Sequence, residues 1–291
     1  MKVTFRILSL ELLLILMFCS PVRGQVIFQN DFDQHSESKV YTQADLDKDW
    51  NEPVWENGVD EGRVRIVTAA EASGEKGSSL AVSYPSGKFG TKHTGTQWQL
   101  RLGRGYEELT LKYRIKFESG FDFVRGGKLP GLAGGNTPTG SDPVNGIDGW
   151  SGRFMWKTDS RRWPGATRRQ TAYPISYAKY LKSGAKQDGS KADQVTWYDS
   201  NRRRVVFKSG VWYKIRQQIK MNDPGIANGI FRIWLNDELV LDQQDRLIRL
   251  KPELKIDCMY FSTFFGGSND RWATSKDETI YFDDFEISAP K

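Results

Sequence analysis

The sequence has 291 residues, and its 42 lysines and arginines exceed its 36 aspartates and glutamates, which gives a formal net charge of +6 at pH 7. It contains only two histidines and two cysteines, whereas aromatic residues make up 13% of the chain. So few histidines and cysteines disfavour a zinc site or a histidine-dependent catalytic triad. The chain is long enough to bury one large core and no repeat or linker divides it, so we predict a single domain.

Residues 1–24 have the pattern of a cleaved secretory signal peptide. Two basic residues precede an apolar run, Leu8–Phe18, and small or turn-forming residues follow it. The run is shorter than the ~20 apolar residues that a membrane-spanning helix needs, so we expect no membrane association after cleavage. We predict that the mature chain, residues 25–291, is secreted or periplasmic. Its net charge falls to +4 because three basic residues and one acidic residue are removed, and Cys258 stays as its one cysteine, which excludes an intramolecular disulfide.

Alternation of apolar and polar residues indicates β-strands along most of the mature chain. In Leu109–Phe117, for example, five apolar residues at every second position oppose three basic residues and a threonine. The predicted elements, in chain order, are a helical turn in Thr42–Trp50, strands in Thr96–Leu102, Leu109–Phe117, Gly149–Lys157 and Ala172–Gly184, a helical turn in Lys191–Tyr198, and strands in Val211–Met221, Gly229–Asp237, Ile256–Gly267 and Thr279–Ser288.

Many strands and few helical turns in one domain favour an all-β fold. We predict a β-jelly roll in which two antiparallel sheets pack face to face and the concave sheet offers a groove to an extended ligand. Strand faces that carry glutamine, lysine and arginine either line such a groove or simply face water. Convergence of several polar faces on one sheet would favour the groove.

Residues 124–135 read VRGGKLPGLAGG and place one lysine, Lys128, in a glycine-rich run. Glycines beside Lys128 would let a ligand approach the backbone closely, and Pro130 would stiffen the end of the segment. We predict a loop that presents the Lys128 side chain to a ligand. The alternative is a tight connection between strands whose lysine points to water.

Residues 149–157 read GWSGRFMWK, and strand alternation places Ser151, Arg153, Met155 and Lys157 on one face. Ser151 and Arg153 can therefore reach the same groove, where a guanidinium can bind a carboxylate through two parallel hydrogen bonds. The alternative is that Arg153 forms a surface ion pair and Ser151 has no special role.

Together with the C-terminal segments FFGGSNDRW and YFDDFEI, the GGKLPGL and GWSGRFMWK segments resemble polysaccharide lyases of the alginate and glucuronan lyase type. The resemblance extends from about Gln97 to the C-terminus. It implies a β-jelly roll that cleaves a uronic-acid-containing polysaccharide by β-elimination without a nucleotide or organic cofactor. It also implies that Lys128, Ser151 and Arg153 correspond to the family's catalytic lysine, serine and arginine, with the cations stabilising the negative charge of the intermediate.

The resembled family also has a Tyr-x-Tyr on the strand after Ser-x-Arg, and this sequence departs from that pattern. After an insertion the next strand reads AYPISYAKYLKSG, and we assign Tyr177 to the first tyrosine position and Lys179 to the second. Nearby cations would lower the pKa of Tyr177 from its ordinary ~10 and favour a phenolate. Tyr173 and Tyr180 are alternative candidates that would contact the sugar. Without the resemblance, Tyr177 could equally be an ordinary core aromatic.

Other residues are predicted to contact the polysaccharide. Gln97 resembles a glutamine on the groove floor of related lyases, and Gln99 shares its strand face. His93 is predicted at the groove edge as a base or a sugar contact, with a surface histidine of no special role as the alternative. The insertion at residues 158–170 carries Trp163 and four arginines, which would attract a polyanion, with a solvated loop as the alternative. We expect no nucleic-acid partner, because the chain is predicted to be exported and lacks nucleic-acid-binding motifs.

The acidic residues suggest a structural calcium ion instead of a catalytic group. If the first and last strands are neighbours, Asp31 or Asp33 would lie near Asp283 or Asp284 and offer the oxygen ligands that calcium prefers. Ordinary turns and surface carboxylates would give the same sequence pattern. No cofactor is expected for catalysis, and we expect a monomer.

These patterns favour a polysaccharide lyase over two other classes of carbohydrate-active protein. A glycoside hydrolase of the same fold would need two carboxylates flanking the scissile bond, and the E-x-D-x-x-E signature is missing. A carbohydrate-binding protein without catalytic groups stays an alternative because the Tyr-x-Tyr pattern is altered. Chains of mannuronate, guluronate and glucuronate are all candidate substrates.

Overall fold

The computed structural model describes residues 24–72, 74, 76–159, 170–181 and 192–291. These residues form β-strands almost throughout, with two short α-helices, α1 (Gln43–Asp49) and α2 (Ala69–Ala72), and one 3₁₀ turn at Asp270–Trp272. The strands, in chain order, are β1 (Gln25–Asn30), β2 (Lys39–Val40), β3 (Glu56–Asn57), β4 (Val64–Thr68), β5 (Ser78–Tyr84), β6 (Thr96–Tyr106), β7 (Glu108–Phe117), β8 (Gly126–Gly135), β9 (Gly149–Lys157), β10 (Thr171–Lys179), β11 (Asp193–Thr196), β12 (Phe207–Lys208), β13 (Trp212–Lys220), β14 (Gly229–Leu235), β15 (Glu238–Arg246), β16 (Ile256–Thr263) and β17 (Glu278–Ala289).

The strands form two antiparallel sheets. The nine-stranded sheet has the order β15-β14-β13-β7-β17-β5-β4-β2, with β1 paired to β17. The eight-stranded sheet has the order β11-β10-β9-β8-β16-β6-β3, with β12 paired to β10. The two sheets pack face to face around one main core and form a β-jelly roll. The all-β prediction is therefore confirmed.

Every second residue of the central strands points into the core between the sheets. On β7 the five predicted apolar positions are fully buried, whereas the intervening positions near its start are partly exposed. Trp98 of β6 and Phe261 of β16 stack with their ring centroids 4.0 Å apart, and Trp50, just after α1, packs edge-on against both rings. Large aromatic side chains of this kind dominate the packing energy of a core.

The two predicted helical turns have different outcomes. α1 confirms the first, because Thr42 and Asp45 form a reciprocal capping box at its start. The second prediction is wrong for the described part of Lys191–Tyr198, since Asp193–Thr196 forms β11 at the edge of the eight-stranded sheet. Pairing with β10 and two β-branched residues favour the strand over the short helix.

The glycine-rich segment that contains Lys128 is a central strand, β8, and the prediction of a loop is wrong. β8 lies between β9 and β16, and its glycines allow close packing there. A Cβ atom on Gly127 would lie 2.2 Å from the ring of Trp156, and one on Gly131 would lie 2.2 Å from the carbonyl oxygen of Gly152. Close packing against β9 therefore requires glycine at these positions of the strand. Glycine in a strand often marks a place where another group approaches the backbone closely.

A bulge at Pro130 interrupts the pairing of β8 with β9 between Leu129 and Leu132. Strict alternation would place these two leucines on opposite faces, yet both are fully buried in the core. Two side chains of the nine-stranded sheet complete the hydrogen bonding at the bulge. The Tyr113 hydroxyl donates to the Pro130 carbonyl at 3.2 Å.

Gln217 of β13 is the second of these side chains. Its Oε1 accepts a hydrogen bond from Leu132 N at 2.8 Å, and its Nε2 donates to the Gly152 carbonyl at 2.5 Å. One amide therefore replaces the missing ladder bonds between β8 and β9 across the core. The bulge fixes how β8 is placed beside β9, and these two strands carry Lys128 and Arg153.

No helix among the described residues has the length and apolar character to cross a membrane. Cys258 of β16 is buried as a free thiol, and burial raises its pKa to about 12. The predicted signal peptide, residues 1–24, lies outside the described residues apart from Gly24.

Replacement of Gln217 by leucine should destabilise the fold by about 2–4 kcal/mol, because it leaves a buried N–H and a buried carbonyl without partners. Chemical denaturation of the purified protein measures this loss. Gln218→Leu is the matched control, since Gln218 is only half-buried and bonds to Glu108 at 2.6 Å on the outer face. Equal effects of the two substitutions would contradict the bridging role of Gln217.

Candidate active site

A cleft of about 440 Å³ lies on the outer face of the eight-stranded sheet. Strands β6, β8, β9 and β10 contribute its floor, and the residues around Phe264 and Trp272 contribute one side. Four predicted site residues meet there: Gln97, Lys128, Arg153 and Tyr177. The polar strand faces therefore converge on one sheet, and the groove prediction is confirmed for these residues.

Arg153 lines the cleft and is only 1% exposed. Its Nη1 donates to Ser262 Oγ at 3.0 Å, and its guanidinium carbon lies 4.8 Å from the ring centroid of Tyr260. Its Nε has no hydrogen-bond partner among the described residues, and no carboxylate there forms an ion pair with it. Burial lowers the pKa of Arg153 from its usual value. A desolvated guanidinium of this kind strongly favours an incoming anion.

Gln97 is linked to Arg153 through a short hydrogen-bond network. Its Oε1 accepts bonds from the Tyr260 hydroxyl and from Ser262 Oγ, both at 3.1 Å. Ser262 thus accepts from Arg153 and donates to Gln97. With Oε1 occupied in this way, the orientation of the amide is fixed and its NH₂ group is the part left to bind a ligand in the cleft.

Lys128 is 8% exposed and lies against Tyr177, with Nζ 2.7 Å from the ring centroid. Burial is the main cause that lowers its pKa well below the usual 10.5, and the positive charges of Arg153, Lys157 and Lys179 lower it further. A lysine in these surroundings easily loses its proton. Lys128 can therefore act as a neutral amine at a pH where an ordinary lysine is charged.

Strand pairing brings Tyr177 next to Arg153. Tyr177 of β10 is the direct cross-strand partner of Arg153 on β9, and on its other side it pairs with Gln194 of β11. All three side chains line the cleft, and Tyr177 is half-buried there. Because Tyr177 lines the cleft, it is not a core aromatic residue. The assignment of Tyr177 to the catalytic strand position fits the geometry.

Three predicted site residues lie on the correct face but do not line the cleft, because residues 136–148 cover them. Ser151 Oγ donates to the Pro138 carbonyl at 2.7 Å, and Lys179 Nζ donates to the carbonyls of Gly140 and Asp142. Gln99 Nε2 donates to Thr137 Oγ1 at 2.5 Å. These three side chains therefore bond to the protein's own chain and not to a ligand in the cleft. The structure thus contradicts the predicted catalytic roles of Ser151 and Lys179 and the predicted sugar contact of Gln99.

The structure does not bring the other predicted sugar contacts into the cleft. Tyr180 points into the core, where its hydroxyl donates to Asp193 at 2.5 Å, so its prediction is wrong. Tyr173 lies further along β10 under the guanidinium of Arg204, 4.2 Å from its ring centroid. His93 is exposed on a turn beyond the residues that line the cleft. Trp163 and the four arginines of the insertion lie outside the described residues.

Some cleft residues were not predicted as site residues from the sequence. Met155 and Lys157 share the face of Arg153, and the alternation of β9 was the signal that could have selected them. Trp272 follows a glycine turn with no periodic pattern. A Cβ atom on Gly267 would lie 2.0 Å from Trp272 Nε1, so this glycine lets the ring lie against the turn. Arg125 lies over the same ring at 5.6 Å.

The acidic residues proposed for calcium are only partly brought together. β1 pairs with β17, with Asn30 opposite Phe285, so the predicted neighbourhood of the terminal strands is confirmed. However, Asp33 accepts a bond from Ser78 N, and Asp284 forms an ion pair with an arginine of β7. The described residues contain no group of three or more acidic, histidine or cysteine side chains suited to a metal. The calcium ion stays a prediction without such a cluster.

A cleft on a jelly-roll sheet that presents desolvated cations and an amide has the chemistry to bind an acidic carbohydrate chain. The sequence from residue 72 to residue 285 matches the family model Polysaccharide lyase 14. That stretch is well over half of the chain, so the protein belongs to this family of polysaccharide lyases. The predicted lyase family and enzyme class are confirmed.

Solved structures have the same fold. Alginate lyase Aly36B is 23% identical with a TM-score of 0.72, and the match covers 90% of this chain and 96% of that one. A PL-14 alginate lyase from Aplysia kurodai is 22% identical with a TM-score of 0.72 over 92% of this chain and all of the other. An endo-β-1,4-glucuronan lyase from Trichoderma reesei is 14% identical with a TM-score of 0.52, covering 87% and 95%. No curated protein sequence matches this chain.

Replacement of Arg153 by methionine should abolish lyase activity and leave the free energy of unfolding within about 1 kcal/mol of the parent or higher, because a desolvated charge without an acidic partner does not stabilise the fold. Arg249→Met is the matched control. Arg249 is also buried, with 4% exposed, but it bonds to Glu107 and to three backbone carbonyls. Its loss should destabilise the protein by about 3 kcal/mol. A large loss of stability in Arg153→Met would contradict a primarily functional role for Arg153.

Proposed function

We propose that the protein cleaves a uronic-acid-containing polysaccharide by β-elimination and leaves an unsaturated uronate at the new end. The observation that carries this proposal is the desolvated pair Arg153 and Lys128 in a cleft whose described lining contains no carboxylate. An acidic sugar supplies the negative charge that the buried Arg153 guanidinium lacks. A neutral sugar would leave Arg153 buried without compensation.

Binding of the uronate carboxylate is assigned to Arg153 and Gln97. The guanidinium offers unused N–H groups beside the fixed Gln97 amide, and both groups can donate to carboxylate oxygens. Removal of the ring proton at C5 moves negative charge onto this carboxylate. Donors that are already in place and shielded from water stabilise that charge most effectively, so Arg153 acts mainly on the transition state.

Proton transfer is assigned to Lys128 and Tyr177. The lowered pKa of Lys128 makes its neutral amine available at moderate pH, so we assign the removal of the C5 proton to its lone pair. The Tyr177 phenol lies against the same amine and can donate its proton to the O4 leaving group. The C5–H and C4–O bonds break and the C4=C5 bond forms. Lys128 ends this step as an ammonium, and the Tyr177 proton departs on the new O4 hydroxyl. Transfer of the proton from Lys128 to the Tyr177 phenolate restores both groups. The resemblance alone implied a proton-transfer role for Tyr177 without assigning the base.

Alginate and glucuronan are the substrates to test first. Two Aly36B variants were solved with an alginate trisaccharide and an alginate tetrasaccharide, and the similar fungal structure is a glucuronan lyase. A glycoside hydrolase is not supported, because the described cleft residues include no pair of carboxylates. We also propose that the enzyme is secreted, on the basis of the signal-like residues 1–24, and that it acts as a monomer, since one chain supplies every group assigned above.

Incubation of the enzyme with polymannuronate, polyguluronate and polyglucuronate should produce the ultraviolet absorbance of a conjugated C4=C5 double bond with at least one of them. Only elimination creates this chromophore. Hydrolysis adds water across the cleaved bond and leaves no double bond at either new end. Reducing ends without the absorbance would indicate a hydrolase, and tight binding without cleavage would indicate a binding protein.

Replacement of Lys128 by arginine should lower kcat/KM by about 10²–10⁴-fold, because arginine keeps the positive charge but cannot accept the C5 proton at working pH. In the parent enzyme, kcat/KM should rise with pH through the lowered pKa of Lys128, well below 10.5. Lys214→Arg, on the outer face of the other sheet, should change neither quantity. Near-parent activity of Lys128→Arg would show that only the charge of Lys128 is needed.

A further inference from the structure

Residues 136–148 connect β8 to β9 and cover part of the eight-stranded sheet. Thr139 and Gly140 of this segment line the cleft. The backbone turns sharply at Thr137 and at Gly140, where φ is 46° in both residues. A threonine in this conformation is uncommon and needs support from its surroundings. We call residues 136–142 the cleft wall.

Three buried polar side chains of the sheet bind the cleft wall. Gln99 of β6 donates to Thr137 Oγ1, Ser151 of β9 donates to the Pro138 carbonyl, and Lys179 of β10 donates to two carbonyls further along. All three donors are more than nine-tenths buried. Ser151 and Lys179 are direct partners in the strand register, so their bonds to the wall lie side by side.

The chemistry of Lys179 suits this position. An ammonium has three N–H donors and can bind two carbonyl oxygens at once, whereas a tyrosine hydroxyl in the same place has one donor. The two carbonyls belong to Gly140 and Asp142, at the part of the wall that reaches the cleft. Gly140 has no side chain, so its backbone itself forms the surface that a ligand would meet.

We infer that Lys179, together with Ser151 and Gln99, is a positioning residue that holds the cleft wall against the sheet, and that Lys179 acts through the wall and not as a proton-transfer group. At the second position of the Tyr-x-Tyr pattern, this chain thus has a lysine that binds the cleft wall in place of a phenol. Lys179 also contributes positive charge near Lys128, which helps to lower the pKa of Lys128. The expected effect on substrate binding rests on the proposed function, whereas the effect on the wall does not.

The first test measures amide hydrogen exchange of the full-length protein without substrate. In Lys179→Met, peptides that cover residues 136–148 should exchange about tenfold faster or more, while peptides from β13 and β14 stay unchanged. Ser151→Ala should produce a smaller increase in the same peptides. Lys214→Met, an exposed lysine on the other sheet, is the control and should leave the segment unchanged. Unchanged exchange in both Lys179→Met and Ser151→Ala overturns the inference, whatever the activity.

The second test uses kinetics on the uronan that the enzyme cleaves. In Lys179→Met, detachment of the cleft wall from the sheet should raise KM about fivefold or more. The same variant should change kcat by less than about threefold, since the reacting groups stay in place. The acidic limb of the pH profile should move to higher pH, because Lys128 loses a neighbouring positive charge. In Lys179→Met/Ser151→Ala the two effects on KM should be less than multiplicative, because both residues hold one segment.

The outcomes separate this inference from the proposed function. If Lys179→Met abolishes kcat while hydrogen exchange of residues 136–148 is normal, Lys179 is catalytic and the inference is wrong. If no uronan is cleaved by the parent enzyme, the proposed function fails and the exchange test still decides the role of Lys179. Should Lys179→Met fail to fold, Ser151→Ala and Gln99→Met test the same wall contacts, and normal exchange in both overturns the inference.

Discussion

The site depends on burial of positive charge without an acidic partner. Arg153 lies beside Lys128 in the cleft, and no carboxylate of the described residues forms an ion pair with either side chain. Elsewhere in the described structure, a buried arginine such as Arg249 is bound by a glutamate and by backbone carbonyls. Desolvation of a charge opposes folding, so the rest of the jelly roll has to stabilise the arrangement. The free energy that the unpaired charge costs is recovered when an acidic sugar binds.

The two-sheet core holds these cations in place. Lys128 and Arg153 belong to adjacent strands whose pairing is interrupted at Pro130, and Gln217 and Tyr113 reach across the core to complete the hydrogen bonds there. The sheet that carries no site residue therefore sets the geometry of the sheet that does. On the other side of β9, cross-strand pairing places Tyr177 beside Arg153 without any loop. A site built on paired strands in this way is more rigid than one built on loops.

Much of the fold and part of the site follow from the sequence, and the failures have physical reasons. Alternation in β7 and β9 predicts the buried face correctly, because one face of each strand meets a hydrophobic core. The β8 prediction fails because glycine and proline also occur in strands at bulges and close contacts. Strand alternation predicts on which face Ser151 and Lys179 lie. It does not predict that residues 136–148, a segment 13 residues long, cover that face. Trp272 lies on a turn, where no periodicity exists to select it.

Measurement of the Lys128 pKa tests most directly whether the site is based on buried positive charge without an acidic partner. Nuclear magnetic resonance of protein with isotope-labelled lysine side chains measures it, with Lys128→Arg to assign the signal. The free enzyme should show a midpoint well below 10.5, and a saturating uronan oligosaccharide should raise it, because a carboxylate then lies beside the amine. A midpoint near 10.5 in the free enzyme, unaffected by the oligosaccharide, would contradict the account.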